Sequence, residues 1–118
     1  MRKSIFFLML LFVGSMGLIT SCQKSKTGDL VINVVDGLNS SVGSGKTVYL
    51  YNSLTDYNNA VYSKTADTDA NGQVKFSNLE PGTYYADCDW TNNLGMVLTS
   101  TGSGTVEKQK VTTITLAP

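Results

Sequence analysis

The sequence predicts an all-β domain of about seven strands, folded as a two-sheet Greek-key β-sandwich. From residue 29 onward the chain is rich in Val, Thr and Tyr, and apolar and polar residues alternate in steps of two. Clusters of Gly, Asn, Asp, Ser and Pro interrupt that alternation at close intervals. Such a pattern suits short half-buried strands joined by turns. No stretch sustains the 3.6-residue period of an amphipathic helix, no internal repeat is found, and 118 residues hold one domain at most.

The elements follow in order. Asp29 to Val35 is a first strand with Leu30, Ile32 and Val34 on one face, and Gly37 to Gly45 is a loop. Lys46 to Tyr51 is a second strand, with Val48 and Leu50 inward and Tyr49 and Tyr51 outward. Asn52 to Asn59 reads as a polar connection and Ala60 to Ala66 as a third strand of open parity. Asp67 to Gly72 is a tight turn, in which Asn71-Gly72 tolerates the positive φ that a hairpin demands. Gln73 to Phe76 is a fourth strand burying Val74 and Phe76, and Pro81-Gly82 opens a long fifth, Thr83 to Trp90. Positions 84, 86, 88 and 90 share a face, so Cys88 and Trp90 are expected in the core with Tyr84. Met96 to Ser100 and Val111 to Leu116 complete the set, with Thr101-Gly102-Ser103-Gly104 read as a turn between them.

The N-terminus carries a different message. Arg2 and Lys3 precede an unbroken apolar run from Ile5 to Val13, and small residues follow it. That is the charged and apolar pattern of a secretory signal. It is too short, and too broken by Gly14, Ser15 and Gly17, to serve well as a membrane span of about twenty residues. Ile19-Thr20-Ser21-Cys22 then resembles the lipobox of bacterial lipoproteins, which implies cleavage before Cys22 and lipidation (diacylglycerol, with an acyl chain such as palmitate on the new amine). Several acyl chains are needed for stable anchoring, because a single chain binds only marginally. The expected organisation is therefore a signal peptide at 1–21, a lipidated Cys22 with a flexible tether to 28, and the β-sandwich at 29–118.

Over the whole chain nine Lys and Arg balance nine Asp and Glu. Arg2 and Lys3 would leave with the signal, giving 7 − 9 = −2 for the mature chain. A slightly acidic domain offers no electrostatic footprint for nucleic acid. Lys24 and Lys26 are expected in a solvated tether rather than as a headgroup-binding patch.

One segment points further. Val48-x-Leu50, then Thr68-Asp69-x-Asn71-Gly72-x-Val74-x-Phe76, Leu79-x-Pro81-Gly82-x-Tyr84 and Ala86-x-Cys88 resemble the carboxypeptidase regulatory-like domains and the B-type repeats of collagen-binding adhesins. These are grouped with transthyretin-like (prealbumin-like) sandwiches, close in architecture to immunoglobulin-like ones. The likeness implies that fold, and roles as stalk, adhesin module, spacer or sugar-binding accessory. Many adhesin repeats carry an internal Lys–Asn isopeptide bond. Here the position of its catalytic acid falls at Cys88, and the first strand has no lysine, so that cross-link is expected to be absent.

Candidate sites are few. Asp67-Thr68-Asp69-Ala70-Asn71-Gly72 copies the first half of a calcium loop, making Asp67, Asp69 and Asn71 conceivable ligands. The twelfth position, which should bring a bidentate carboxylate, is Asn78, so a metal-free turn is expected. Asp87 and Asp89 lie two apart on a strand, roughly 6.5–7 Å, the spacing of inverting glycosidases, but nothing suggests a pocket around them and an outward, solvated face is the better reading. With no histidine in the chain, the usual general base and the commonest zinc ligand are both missing. Cys88, left without a disulfide partner once Cys22 is lipidated, is expected as a small core hydrophobe.

The remaining surface is aromatic. Tyr49, Tyr51 and Tyr85 point outward, with Tyr57 and Tyr62 near in sequence. Such rings stack on sugars or anchor protein interfaces, although tyrosine is also simply favoured in strands. The sequence thus leads to a non-enzymatic envelope lipoprotein without cofactor or small-molecule substrate. It would bind another protein or a glycan at the outer membrane, or serve purely as a tether or spacer.

Overall fold

The computed structural model describes residues 26–118; the expected signal, Cys22 and the tether up to Ser25 lie outside the described residues. Seven strands are present: β1 (Gly28–Val34), β2 (Thr47–Tyr51), β3 (Lys64–Asp67), β4 (Gln73–Leu79), β5 (Gly82–Thr91), β6 (Val97–Val106) and β7 (Val111–Leu116). One short helix, α1 (Leu54–Asn58), lies between β2 and β3. No helix among the described residues is long and apolar enough to cross a membrane. The strands form a three-stranded sheet in the order β4-β1-β7 and a four-stranded sheet in the order β3-β2-β5-β6. All pairings are antiparallel except β1 with β7. The all-β sandwich expected from alternation is therefore the fold.

Alternation also selects the core. Leu30, Ile32 and Val34 of β1 face Val48 and Leu50 of β2 and Tyr84, Ala86, Cys88 and Trp90 of β5 in a single buried cluster. Each fully buried Leu or Ile contributes roughly 1.5–3 kcal/mol. The buried polar groups within it are satisfied. Trp90 donates from Nε1 to Ser100 Oγ at 2.9 Å, and Ser100 in turn donates to the Val35 carbonyl at 2.9 Å. Ser100 thereby ties the four-stranded sheet to the end of β1. Tyr84, inward as expected, donates its hydroxyl to the Glu80 carbonyl at 2.7 Å and pins the Pro81-Gly82 turn.

Several expectations about elements are corrected. β4 runs to Leu79 rather than stopping at Phe76. Leu30 pairs with Phe76 but Gly28 with Leu79, so Ser77 and Asn78 oppose Asp29 alone in a bulge. Asn78 takes φ +59 and donates its N–H to Asp29 Oδ1 at 3.1 Å. Asn is among the few side chains that tolerate that conformation. The extra residue shifts the alternation and turns Leu79 into the core.

The Asp67–Gly72 turn is not a hairpin. β3 pairs with β2 and β4 with β1, so the turn crosses from one sheet to the other. Only Gly72 has a positive φ, +73, and a side chain there would collide with the Ser41 hydroxyl.

The segment read as a Gly/Ser turn, Thr101 to Gly104, lies in the middle of β6. Gly102 and Gly104 occupy inward positions beside β7. A Cβ on Gly104 would press into Ile114 Cγ2, and one on Gly102 would come within 2.9 Å of Leu116 Cδ2 and of the Thr115 carbonyl. Glycine here admits the close approach of β7. Thr101 and Ala117 exchange backbone hydrogen bonds of 3.0 and 3.2 Å, pinching the two sheets together at that edge.

The third strand is shorter than expected, Lys64–Asp67 instead of Ala60 to Ala66. Helix α1 sits in what was read as a polar connection. Ser53 caps it by accepting from the Asp56 N–H at 3.1 Å.

Candidate aromatic face of the four-stranded sheet

With Val48 and Leu50 in the core, the opposite face of β2 presents Thr47, Tyr49 and Tyr51. With Tyr84, Ala86, Cys88 and Trp90 in the core, β5 presents Tyr85, Asp87 and Asp89 on the same side. β2 and β5 are direct neighbours, with Tyr51 opposite Tyr85 and Tyr49 opposite Asp87. On the far side of β5, β6 sets Ser103, Thr101 and Thr99 opposite Tyr85, Asp87 and Asp89. The outer surface of this sheet is therefore a lattice of tyrosines, carboxylates and hydroxyls.

The segment between β2 and β3 folds over one corner of the lattice. Tyr57 of α1 meets Tyr51 edge-on with ring centres 5.2 Å apart, and lies 6.1 Å from Tyr85. Tyr62 meets Tyr49 edge-on at 5.0 Å. Edge-on pairs of this kind set the positive rim of one ring against the negative face of another. All five tyrosines singled out by sequence thus gather on one surface. The expectation that Tyr51 is outward is corrected: it is on the outer face, but α1 covers it and leaves it 5% exposed. Tyr49, Tyr57 and Tyr85 stay partly exposed, and Tyr62 is exposed. Between Tyr57, Tyr85 and the Thr101–Ser103 stretch of β6 runs an open groove of about 210 Å³. Helix α1 was missed in the sequence, where Ser53-x-x-Asp56 is its only capping signal.

Asp87 lies within the lattice and not at its rim. Its two oxygens accept from the Tyr51 hydroxyl at 3.3 and 3.4 Å, long contacts for an O–H···O bond. Burial raises the Asp87 pKa from its ordinary value; the Tyr51 hydrogen bond opposes this and the Asp89 charge adds to it. For Tyr51, burial first and then the Asp87 charge push the phenol up to about 12. Asp89 is exposed and accepts from the Thr99 hydroxyl at 2.6 Å.

The other candidates are engaged elsewhere. Asp67 accepts from the Thr47 hydroxyl at 2.8 Å. Asp69 Oδ1 accepts from the Asn71 and Gln73 N–H groups at 2.9 and 3.0 Å, the pattern of a side chain completing its own turn. Among the described residues no group of three acidic, Cys or His side chains converges as a metal site. Cys88 is fully buried, and burial, followed by the Asp89 and Asp87 charges, pushes its thiol up to about 11, away from the nucleophilic thiolate.

This arrangement places the chain in a fold class, the seven-stranded two-sheet sandwich. No protein-family model and no curated protein matches the chain by sequence. Solved structures with a similar fold include the minor pilin of Streptococcus agalactiae, with a TM-score of 0.53 and 21% identity over 79% of this chain and 44% of that one. A candidate carbohydrate-binding protein from Pseudomonas aeruginosa gives 0.52 and 20%, covering 81% of this chain and 91% of that one. The major pilin subunit of Bacillus cereus gives 0.51 and 20%, covering 78% and 29%. The chain thus spans less than half of either pilin and nearly all of the Pseudomonas protein. At these identities the likeness concerns the fold.

Proposed function

We propose that this chain is a lipid-anchored, non-catalytic binding module of the bacterial envelope, and that its contact surface is the tyrosine-rich outer face of the four-stranded sheet. The observation that carries this reading is the gathering of Tyr49, Tyr57, Tyr62 and Tyr85 on one face of the sheet, outside the core, with Tyr57 and Tyr85 lining an open groove. Partly exposed rings on a rigid sheet lose little entropy on binding and present large contact area. The absence of histidine from the sequence, the buried Cys88 and the locally satisfied Asp69 all weigh against turnover. Attachment through Cys22, with the outer membrane as its place, rests on the Ile19-Thr20-Ser21-Cys22 motif after a complete signal pattern. Similar sandwiches in pilins and in a candidate carbohydrate-binding protein fit a surface or envelope role.

Two experiments test this. Mass spectrometry of the membrane fraction should find acylated Cys22 at the mature N-terminus, lost in Cys22→Ala; a soluble, unmodified mature chain would refute the anchor. A cross-linked pull-down and a glycan array should then lose their hits in a Tyr49→Ala/Tyr85→Ala double variant. Tyr51 is left intact there because it supports α1. Equal retention of hits by a folded double variant would favour the second reading, a spacer. The pilin neighbours support that reading, since there the fold occupies only part of a longer subunit.

A further inference from the structure

We infer that the aromatic face takes a cationic side chain of a partner protein, arginine above all, with Asp87 as its counter-charge and Tyr85 and Tyr57 as its stacking surfaces. This deepens the reading of that face as the contact surface and rests on it. Three observations carry it. The first is charge. Across the outward positions of β2, β3, β5 and β6, and along α1, every charged side chain is acidic: Asp56, Asp67, Asp87 and Asp89. Of the lysines near this sheet, Lys64 lies opposite the core residue Leu50, on the inner side of the edge strand.

The second is the state of Asp87. An ionised carboxylate has about four acceptor positions. Asp87 is partly buried and receives one donor, the Tyr51 phenol, at long range to both oxygens. Asp67 and Asp89, by contrast, hold short bonds from Thr47 and Thr99. Asp87 therefore keeps acceptor capacity in partly dehydrated surroundings, where a charge-assisted hydrogen bond is strengthened. The third is position. Tyr85 precedes Asp87 by two residues on the same face, and Thr101, its cross-strand partner, lines the groove with Tyr57 and Tyr85. A planar guanidinium entering that groove would stack on a negative ring face while its fork meets the carboxylate edge. A lysine ammonium would satisfy the charge but not the plane, so arginine is preferred. A neutral sugar would bring no counter-charge to Asp87.

The test is an isotope-edited NMR titration of the full chain in nonionic detergent. The probe is a short peptide carrying two arginines, set against the same peptide with citrulline, which has the same shape without the charge. Methyl glycosides form a third arm. The arginine peptide should shift Tyr57, Tyr85, Asp87 and Thr101 to Ser103. Citrulline, or Asp87→Asn in the protein, should weaken binding about tenfold, the scale of one charge-assisted bond. Asp89→Asn, altering an exposed charge, should change it about twofold or less. Equal binding of the arginine and citrulline peptides, or unchanged arginine binding by folded Asp87→Asn, overturns the inference. Glycosides moving these resonances where arginine does not would overturn it in favour of a glycan platform, leaving the face as the contact surface. If no probe moves the face, the inference fails. The contact-surface reading fails with it only if the Tyr49→Ala/Tyr85→Ala variant also keeps every captured partner.

Discussion

Replacing Gly104 with alanine separates two accounts of the Thr101 to Gly104 segment. In a surface turn without positive φ, and Gly104 has none, the change should be neutral or mildly stabilising, because glycine costs about 0.5–1 kcal/mol relative to alanine through unfolded-state entropy. In the strand observed here the new methyl points at β7 and overlaps Ile114 Cγ2. Overpacking a tightly fitted site costs about 1–3 kcal/mol. Offsetting the entropic gain leaves a net loss of about 1 kcal/mol at mid-range and about 2.5 kcal/mol at most. For a domain of this size a loss of about 1 kcal/mol lowers Tm by roughly 4–8 °C. Calorimetry or urea denaturation measures it directly, and a double-mutant cycle isolates the cause. In an Ile114→Ala background, Gly104→Ala should become neutral or stabilising, a coupling of about 1–3 kcal/mol. A wild-type background that tolerates Gly104→Ala, or a cycle with no coupling, would refute the claim that glycine serves the approach of β7.

Other outcomes follow from the buried groups. Ser100→Ala strands both the Trp90 N–H and the Val35 carbonyl, at about 1–3 kcal/mol each, so chemical denaturation should show a loss of about 2–6 kcal/mol. Because the Tyr51 pKa is raised to about 12, its contribution to stability is fully present below pH 10 and lost as pH rises through 12. Ultraviolet titration should show late ionisation from both Tyr51 and Tyr84, and Tyr51→Phe should remove the component near 12. The groups facing that phenol are Asp87, Tyr57 and Tyr49. Cys88, fully buried with its thiol pushed up to about 11, should resist maleimide at pH 7 and react once denatured; fast labelling of folded protein would contradict its inward placement. Thermal melts with millimolar calcium and with chelator should coincide, since Asp69 is already occupied by backbone N–H groups.

What this sequence determined by itself was whatever a period of two can carry. Alternation along β1, β2 and β5 assigned Leu30, Ile32, Val34, Val48, Leu50, Cys88 and Trp90 to the core, and their neighbours to the outside, because a strand offers its side chains only two directions. That same parity put Tyr49, Tyr51 and Tyr85 on outer faces. Whether those faces were one surface depended on β2 and β5 being neighbours, a pairing between segments more than thirty residues apart that no local pattern encodes. The burial of Tyr51 was likewise a tertiary matter, since it depends on α1 lying across the sheet, and α1 is too short to show a period of its own. Gly102 and Gly104 misled for a related reason. Glycine marks both flexible turns and places where another strand comes close, and only the arrival of Ile114 and Leu116 from β7 distinguishes them. At Asn78 one extra residue against Asp29 reversed the alternation and brought Leu79 inside, because the register of a sheet is set by its partner strand as well as by its own sequence.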